Sequence, residues 1–203
     1  VAVLRERGVH VIDPVSGALG SGDSGIGRLP APEEIARRAL AILGGIDEAA
    51  VGTSLAGKTL VVTAGGTREP IDPVRFLGNK SSGRQGLAIA AAAARAGARV
   101  RVIAANIDDS VMACLPSSVE VTRVGSAQQM REATLAQVRG AAALVMTAAV
   151  ADFRPEATHA SKMKKDPMTV DAPTLRLVRN PDILSEVGHG PHRPPLVIGF
   201  AAE

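Results

Sequence analysis

The chain has 203 residues, a net charge of +3, a single cysteine (Cys114) and only three aromatic residues, all Phe. That length fits one large domain, or one domain with part of another. One cysteine excludes an internal disulfide and a multi-cysteine metal site, and so few aromatic rings argue against base stacking on nucleic acid. The small positive charge suits anionic small molecules without requiring a polyanion. No apolar run approaches the ~20 residues that span a bilayer. With no signal peptide evident, a cytoplasmic protein with neither a membrane nor a nucleic-acid partner is expected. His10, His159, His189 and His192 show neither HxH nor HxxxH spacing, so no metal motif is identified.

In chain order, residues 1–14 read as a helix end followed by a strand at VHVID, and 15–30 as a Gly/Ser loop. PEEIARRALAILGG, 32–45, reads as a helix: Pro and two Glu open it, Gly closes it, and Ile35, Ala39 and Ile42 share a face. Residues 46–57 read as a linker. From Lys58 the pattern changes to strands alternating with helices: KTLVVTA, a helix over 87–97, ARVRVIAA, a helix near 126–139, and ALVMTAA over 143–149. A polar segment to 180, a short helix PDILSEVG and the strand PLVIGFA complete the series. Continuous apolar strands separated by helices predict an α/β fold, a Rossmann-like parallel sheet with helices on both faces. The first residues start inside an element and the last strand leads nowhere, so a fragment of a longer polypeptide is expected, with 1–45 packing as a separate remnant.

In such a sheet ligands sit outside the carboxyl ends of the strands, and three polar loops leave such ends. The first, TAGGTREPIDPVRFLGNKSSGRQG (63–86), takes about twenty residues where ~2–6 connect a strand to a helix. Gly65, Gly66 and Thr67 fit both a tight turn and an anion cradle made from backbone N–H groups. Ser81, Ser82 and Gly83 stand just before the next helix, where the positive dipole end favours an anion. Between them lie Arg68, Asp72, Arg75, Asn79, Lys80 and then Arg84. The second loop, AAVADFRPEATHASKMKK (148–165), carries Asp152, Arg154, Lys162, Lys164 and Lys165; KMKK by itself also fits a solvated face. The third is VRNPDIL, where Asn180, Pro181 and Asp182 open a helix and a plain cap explains them equally well.

Together these segments resemble a known family. TAGGTREPIDPVRFLGNKSSGRQG, AAVADFRP followed by KMKK, NPDIL and VIGFAAE stand in the order and spacing of the phosphopantothenate–cysteine ligases, across residues 58–203. In bacteria that ligase is commonly the second half of a bifunctional coenzyme A biosynthesis protein. Its first half is an FMN-dependent phosphopantothenoylcysteine decarboxylase. GDSGIGRLP resembles the substrate clamp of the decarboxylase, which makes 1–45 its C-terminal remnant.

The resemblance implies a reaction in which CTP activates the carboxylate of 4′-phosphopantothenate as an acyl-cytidylate, releasing pyrophosphate. The amine of L-cysteine then expels CMP. It implies that Gly65, Gly66 and Thr67 lie near phosphates, where the helix start at Ser81, Ser82 and Gly83 is also expected to favour an anion. Asn79 holds the acyl-cytidylate, Arg75 serves the step that consumes it, and Lys162 grips the triphosphate. Ala148, Ala149 and Val150 present backbone groups to cytosine, with Asp152 close by. Asn180, Pro181, Asp182, Ile183 and Phe200 complete the nucleotide pocket. Mg²⁺ is expected on the phosphates rather than in a protein cage, and a homodimer within a larger homo-oligomer is implied.

Two departures bear on activity. Where many relatives carry a catalytic cysteine in the clamp, this chain has Ser21, followed by Gly22, Asp23, Gly25, Gly27 and Arg28. With the flavin-binding body also absent, decarboxylation is not expected of this chain. The ligases continue beyond FAAE, so the resemblance implies a C-terminally truncated ligase domain over 58–203. The competing readings are a nucleotide-binding Rossmann-like oxidoreductase, which GxGxxG after a strand would favour, and a non-catalytic anion-binding module.

Overall fold

The computed structural model describes residues 1–18, 24–42, 54–163 and 174–200. In chain order they form α1 (Ala2–Glu6), β1 (Val15–Ala18), β2 (Ser24–Arg28), α2 (Pro32–Ile42), β3 (Thr59–Gly65), β4 (Arg68–Asp72), β5 (Arg75–Gly78), α3 (Arg84–Arg95), β6 (Arg99–Ala105) and α4 (Asp109–Met112). They continue with β7 (Glu120–Val124), α5 (Ala127–Gln137), β8 (Ala143–Met146), β9 (Phe153–Pro155), β10 (Leu177–Arg179), α6 (Ile183–His189) and β11 (Leu196–Gly199).

The centre is a five-stranded parallel sheet in the order β11-β8-β3-β6-β7. The inner strands are mostly apolar and buried because both faces are covered, with Arg99 and Arg101 confined to the first half of β6. Side chains alternate across the sheet: Leu60, Val62 and Ala64 of β3 join one core with Leu87 and Ala90 of α3. Val61 faces the other core, with Met130 of α5 and Ile183 and Val187 of α6. The parallel sheet covered on both faces is as the apolar periodicity predicts.

Three local expectations differ from the structure. VHVID forms no strand; the strands lie in the Gly/Ser-rich segment instead, as the antiparallel hairpin β1–β2. Gly25, Gly27 and Arg28 lie in β2, while Ser21, Gly22 and Asp23 fall outside the described residues. Second, α2 does not pack as a separate remnant. It lies against α3, with Ile35 fully buried in the same core as Leu60 and Ala39 packed on it, because this apolar stripe needs a partner and the Ala-rich α3 offers one. The stripe stops there, since Ile42 stays 37% exposed. Third, the long loop after β3 is not irregular: much of it is the antiparallel hairpin β4–β5.

Candidate active site

The chain builds β3, lays β6 and β7 on one side of it, then crosses to add β8 and β11 on the other. The order therefore reverses between β3 and β8, and the crevice outside their carboxyl ends is the switch point where such sheets bind ligands. The GGT and TAAV segments both emerge there.

GGT is a seam between neighbouring strands. Gly66 N–H donates to Ala105 O (3.1 Å), and Thr67 N–H donates to Ala149 O (3.2 Å). Thr67 is fully buried, and its Oγ1 accepts from Ala151 N–H (2.9 Å). The donors of Gly66 and Thr67 are thus engaged by protein carbonyls, and the anion cradle expected from GGT is not formed by these two N–H groups. Gly66 is needed for a different reason: a Cβ there would lie 2.6 Å from Asn79 O. Its absence lets the end of the loop fold down over the strand, and Asn79 Nδ2 donates to Val150 O (3.3 Å).

In the TAAV segment, Ala148 N–H reaches Thr63 Oγ1 (3.3 Å), Ala149 N–H reaches Gly65 O (2.8 Å) and Val150 N–H reaches Ala148 O (3.1 Å). The N–H groups of 148–150 are thus engaged within the protein, and their carbonyls accept from Val150 N–H, Thr67 N–H and Asn79 Nδ2 in turn. Ser81 Oγ accepts from Gly83 N–H (3.4 Å), and Gly83 caps α3 without any side-chain cap bond to the helix. The first-turn N–H groups of α3 lie at the same carboxyl edge, beside Gly65.

Arg75, at the start of β5, and Met163, the residue after Lys162, are far apart in sequence, and one carboxylate joins them. Asp72 is buried, with Oδ1 accepting from the N–H groups of Val74 (2.9 Å) and Arg75 (2.8 Å). Its Oδ2 accepts from Arg75 Nε (2.9 Å), Arg75 Nη2 (2.6 Å) and Met163 N–H (3.2 Å). The Arg75 guanidinium, followed by these N–H groups, holds the Asp72 carboxyl well below the usual carboxylate range despite burial. Arg75 Nη2 also donates to Met163 O (2.9 Å), so Lys162 stands one residue from that anchor, with its side chain exposed. Lys164 and Lys165 fall outside the described residues.

Asn180 closes the third side. Its N–H donates to Asp152 O (2.8 Å) and its Nδ2 to Ala151 O (2.8 Å), while Arg154 Nη1 reaches Asn180 Oδ1 (3.1 Å). Asp182 caps α6 by accepting from Ser185 N–H (2.9 Å), and Asp152 is exposed. Ile183 is buried under α6, so its side chain belongs to the core. Phe200 N–H bonds Met146 O (3.2 Å) at the end of β11. No cluster of three or more His, Cys, Asp and Glu side chains suited to a metal occurs among the described residues.

The sequence reading missed two residues that organise this edge. Asn106, after β6, has a positive φ of 49° and donates from Nδ2 to both Gly66 O (2.9 Å) and Gly125 O (2.8 Å). Glu69 is buried and accepts from Ala127 N–H (2.9 Å) at the start of α5. Asn at a strand end was the available signal for the first, since Asn enters the left-handed region more readily than other non-glycine residues. The second carries no local signal, because its partner is 58 residues away.

The parallel sheet, with its strand order reversing between β3 and β8 and helices on both faces, defines a Rossmann-like domain. The chain belongs to the family described as the DNA/pantothenate metabolism flavoprotein C-terminal domain, whose model matches residues 55–203. It is 48% identical, over all of its length, to the coenzyme A biosynthesis bifunctional protein CoaBC of Mycobacterium tuberculosis, and 38% identical to that of Escherichia coli. It spans about half of these relatives, 48% and 47% of their lengths. Among solved structures, the C-terminal domain of a CoaBC protein superposes with a TM-score of 0.61 at 39% identity, covering 73% of this chain and 66% of that one. A Cab2 mutant in complex with phosphopantothenate-cysteine shares the fold at 15% identity and a TM-score of 0.50, covering 84% of this chain and 70% of that one.

Proposed function

We propose that this chain carries the ligase site of coenzyme A biosynthesis, joining 4′-phosphopantothenate to L-cysteine at the expense of CTP. The carboxylate attacks the α-phosphorus of CTP, forming an acyl-cytidylate and releasing pyrophosphate. The cysteine amine then attacks the acyl carbon, loses a proton and expels CMP. Charge develops on phosphoryl and carbonyl oxygens in both steps, and fixed cationic and N–H donors stabilise it. Two observations support this reading in a chain of this family: Asn79 is bonded to Val150 O beyond the end of β8, and Arg75 is tied to the backbone beside Lys162 through Asp72 and Met163.

On this reading Lys162 and the first turn of α3 meet the triphosphate, Asn79 holds the acyl-cytidylate, and Arg75 serves the cysteine step. Cytosine lies against the 148–150 carbonyls and the Asn180–Asp182 turn. Mg²⁺ would be held through phosphate oxygens, with the exposed Asp152 as the nearby carboxylate; Asp72 is unsuited because both its oxygens are engaged. Flavin and decarboxylation belong to the length of the relatives that this chain does not span. Val74 and Phe76 on the β4–β5 hairpin, and Phe153 and Leu177 on β9 and β10, are 47–59% exposed, a surface that suits a homodimer. An oxidoreductase is disfavoured because β3 leads into a hairpin rather than into a glycine-rich turn and helix.

A nucleotide panel on the full-length protein tests the reading. Pyrophosphate release should require CTP and 4′-phosphopantothenate, and CMP release should require L-cysteine as well. Equal turnover with all nucleotides, or CMP release independent of cysteine, refutes it. Lys162→Gln should raise the CTP concentration required about ten- to a hundredfold, the size of losing a charge-assisted contact. Lys164→Gln and Lys165→Gln should change it far less.

A further inference from the structure

Asp72 receives five donors, divided unevenly between its two oxygens. Oδ1 takes the N–H groups of Val74 and Arg75, a local turn that an Asn side chain forms equally well. Oδ2 takes Arg75 Nε, Arg75 Nη2 and Met163 N–H, and these are not local: Met163 is 91 residues away. The ring closes through Arg75 Nη2 and Met163 O. Among the described residues Arg75 Nη1 then has no protein partner, and 45% of the side chain remains exposed. The buried carboxylate thus fixes the roll of the guanidinium beside the backbone of Met163, the residue after Lys162, with Nη1 unpaired among the described residues. A freely rotating Arg would offer the same charge without that direction.

We propose that Asp72 is a positioning residue, a latch that sets Arg75 and the Lys162–Met163 segment as one unit before the anionic substrates arrive. Its value to turnover rests on the ligase reading above; its existence as a latch does not. Pre-setting the Arg75 guanidinium and the backbone beside Lys162 on one buried group removes ordering that substrate binding would otherwise have to supply.

Asp72→Asn separates the latch from the turn. An amide has one acceptor oxygen, so it keeps the Val74/Arg75 turn while presenting an NH₂ to three donors. In limited trypsin digestion followed by mass spectrometry, cleavage of the Lys162–Met163 bond should accelerate about ten- to a hundredfold, with cleavage after Arg95 unchanged. Arg75→Gln, which leaves the turn intact, should accelerate the same cut; it decides the matter if Asp72→Asn does not fold. Unchanged cleavage at Lys162 in the folded variants overturns the latch.

Turnover supplies the second arm. Asp72→Asn should lower cysteine-dependent CMP release at least about tenfold, and Asp72→Asn/Arg75→Gln should be no slower than the slower single variant. Fold-losses that multiply in the double variant mean that Asp72 acts only on general stability, and overturn the positioning role. An absence of CTP-dependent turnover in the parent protein, with the trypsin result as expected, defeats the ligase reading and leaves the latch standing.

Discussion

Asn106 shows how much one side chain does at this edge. It holds a left-handed backbone while its amide bridges two carbonyls, one on the GGT seam and one before α5. Asn106→Ala loses both bonds and keeps the unfavourable φ, so it should cost about 2–3 kcal/mol. Asn106→Gly relieves the backbone but not the lost bonds, and should cost less. Urea unfolding of the two variants orders them; equal costs would show that backbone conformation is irrelevant there. The catalytic expectations for Arg75 and Asn79 also belong to this scale. Asn79→Asp places a carboxylate where an anionic intermediate is expected, and should reduce pyrophosphate and CMP release together. Arg75→Gln should slow CMP release more than pyrophosphate release, so acyl-cytidylate accumulates; rapid-quench analysis of that intermediate distinguishes the two.

At the scale of elements, packing distance and charge pairing decide what each helix tolerates. Gly86 sits in α3, where Ala is favoured by ~1 kcal/mol on propensity. Yet a Cβ there would lie 2.6 Å from Ala64 Cβ and would also overlap Thr147 Oγ1. Gly86→Ala should therefore destabilise the protein by about 1–2 kcal/mol net, because overpacking outweighs the propensity gain. A rise in midpoint urea concentration would show that α3 can move off the sheet. Charge pairing joins α5 to α6, where Arg131 Nε donates to Glu186 Oε2 (2.6 Å) and holds the Glu186 carboxyl below its usual range. In α2, Glu34 is lowered to about 2 by hydrogen bonds from Arg37 and then Arg38. A carboxylate depressed in the folded state contributes stability that is complete above its unfolded pKa of ~4.3 and is lost as pH falls through the folded value. Stability should hold from pH 7 to about 5, then fall toward pH 2. Arg131→Gln should make that acid loss shallower, as urea titrations at pH 7, 4 and 2.5 would show.

For the whole molecule the question is how many cooperative units unfold. Ile35 of α2 and Leu87 of α3 are both fully buried in one core. Truncating either to Ala should cost about 2–5 kcal/mol, against under ~0.5 kcal/mol for the more exposed Ile42. If α2 belongs to the same unit as the sheet, Ile35→Ala should shift a single transition seen by far-UV circular dichroism. A second, earlier transition would instead mark residues before Lys58 as an independent remnant.

The amino-acid sequence by itself determined the sheet. Continuous apolar runs such as TLVV, RVIAA and ALVM must be covered on both faces, and Gly- and Pro-punctuated helices between them allow only parallel crossovers. It also offered Arg75, Asn79 and Lys162 as candidates, singled out among the polar residues of these segments by their motifs' resemblance to the ligase family. What only the tertiary structure decided is who partners whom. The GGT and TAAV donors turn inward, α2 joins the main core, and Asp72 draws Met163 to Arg75 across 91 residues. Periodicity records whether a residue is buried; it carries no information about which distant donor meets a buried carboxylate, since that is set by how strands order in the sheet.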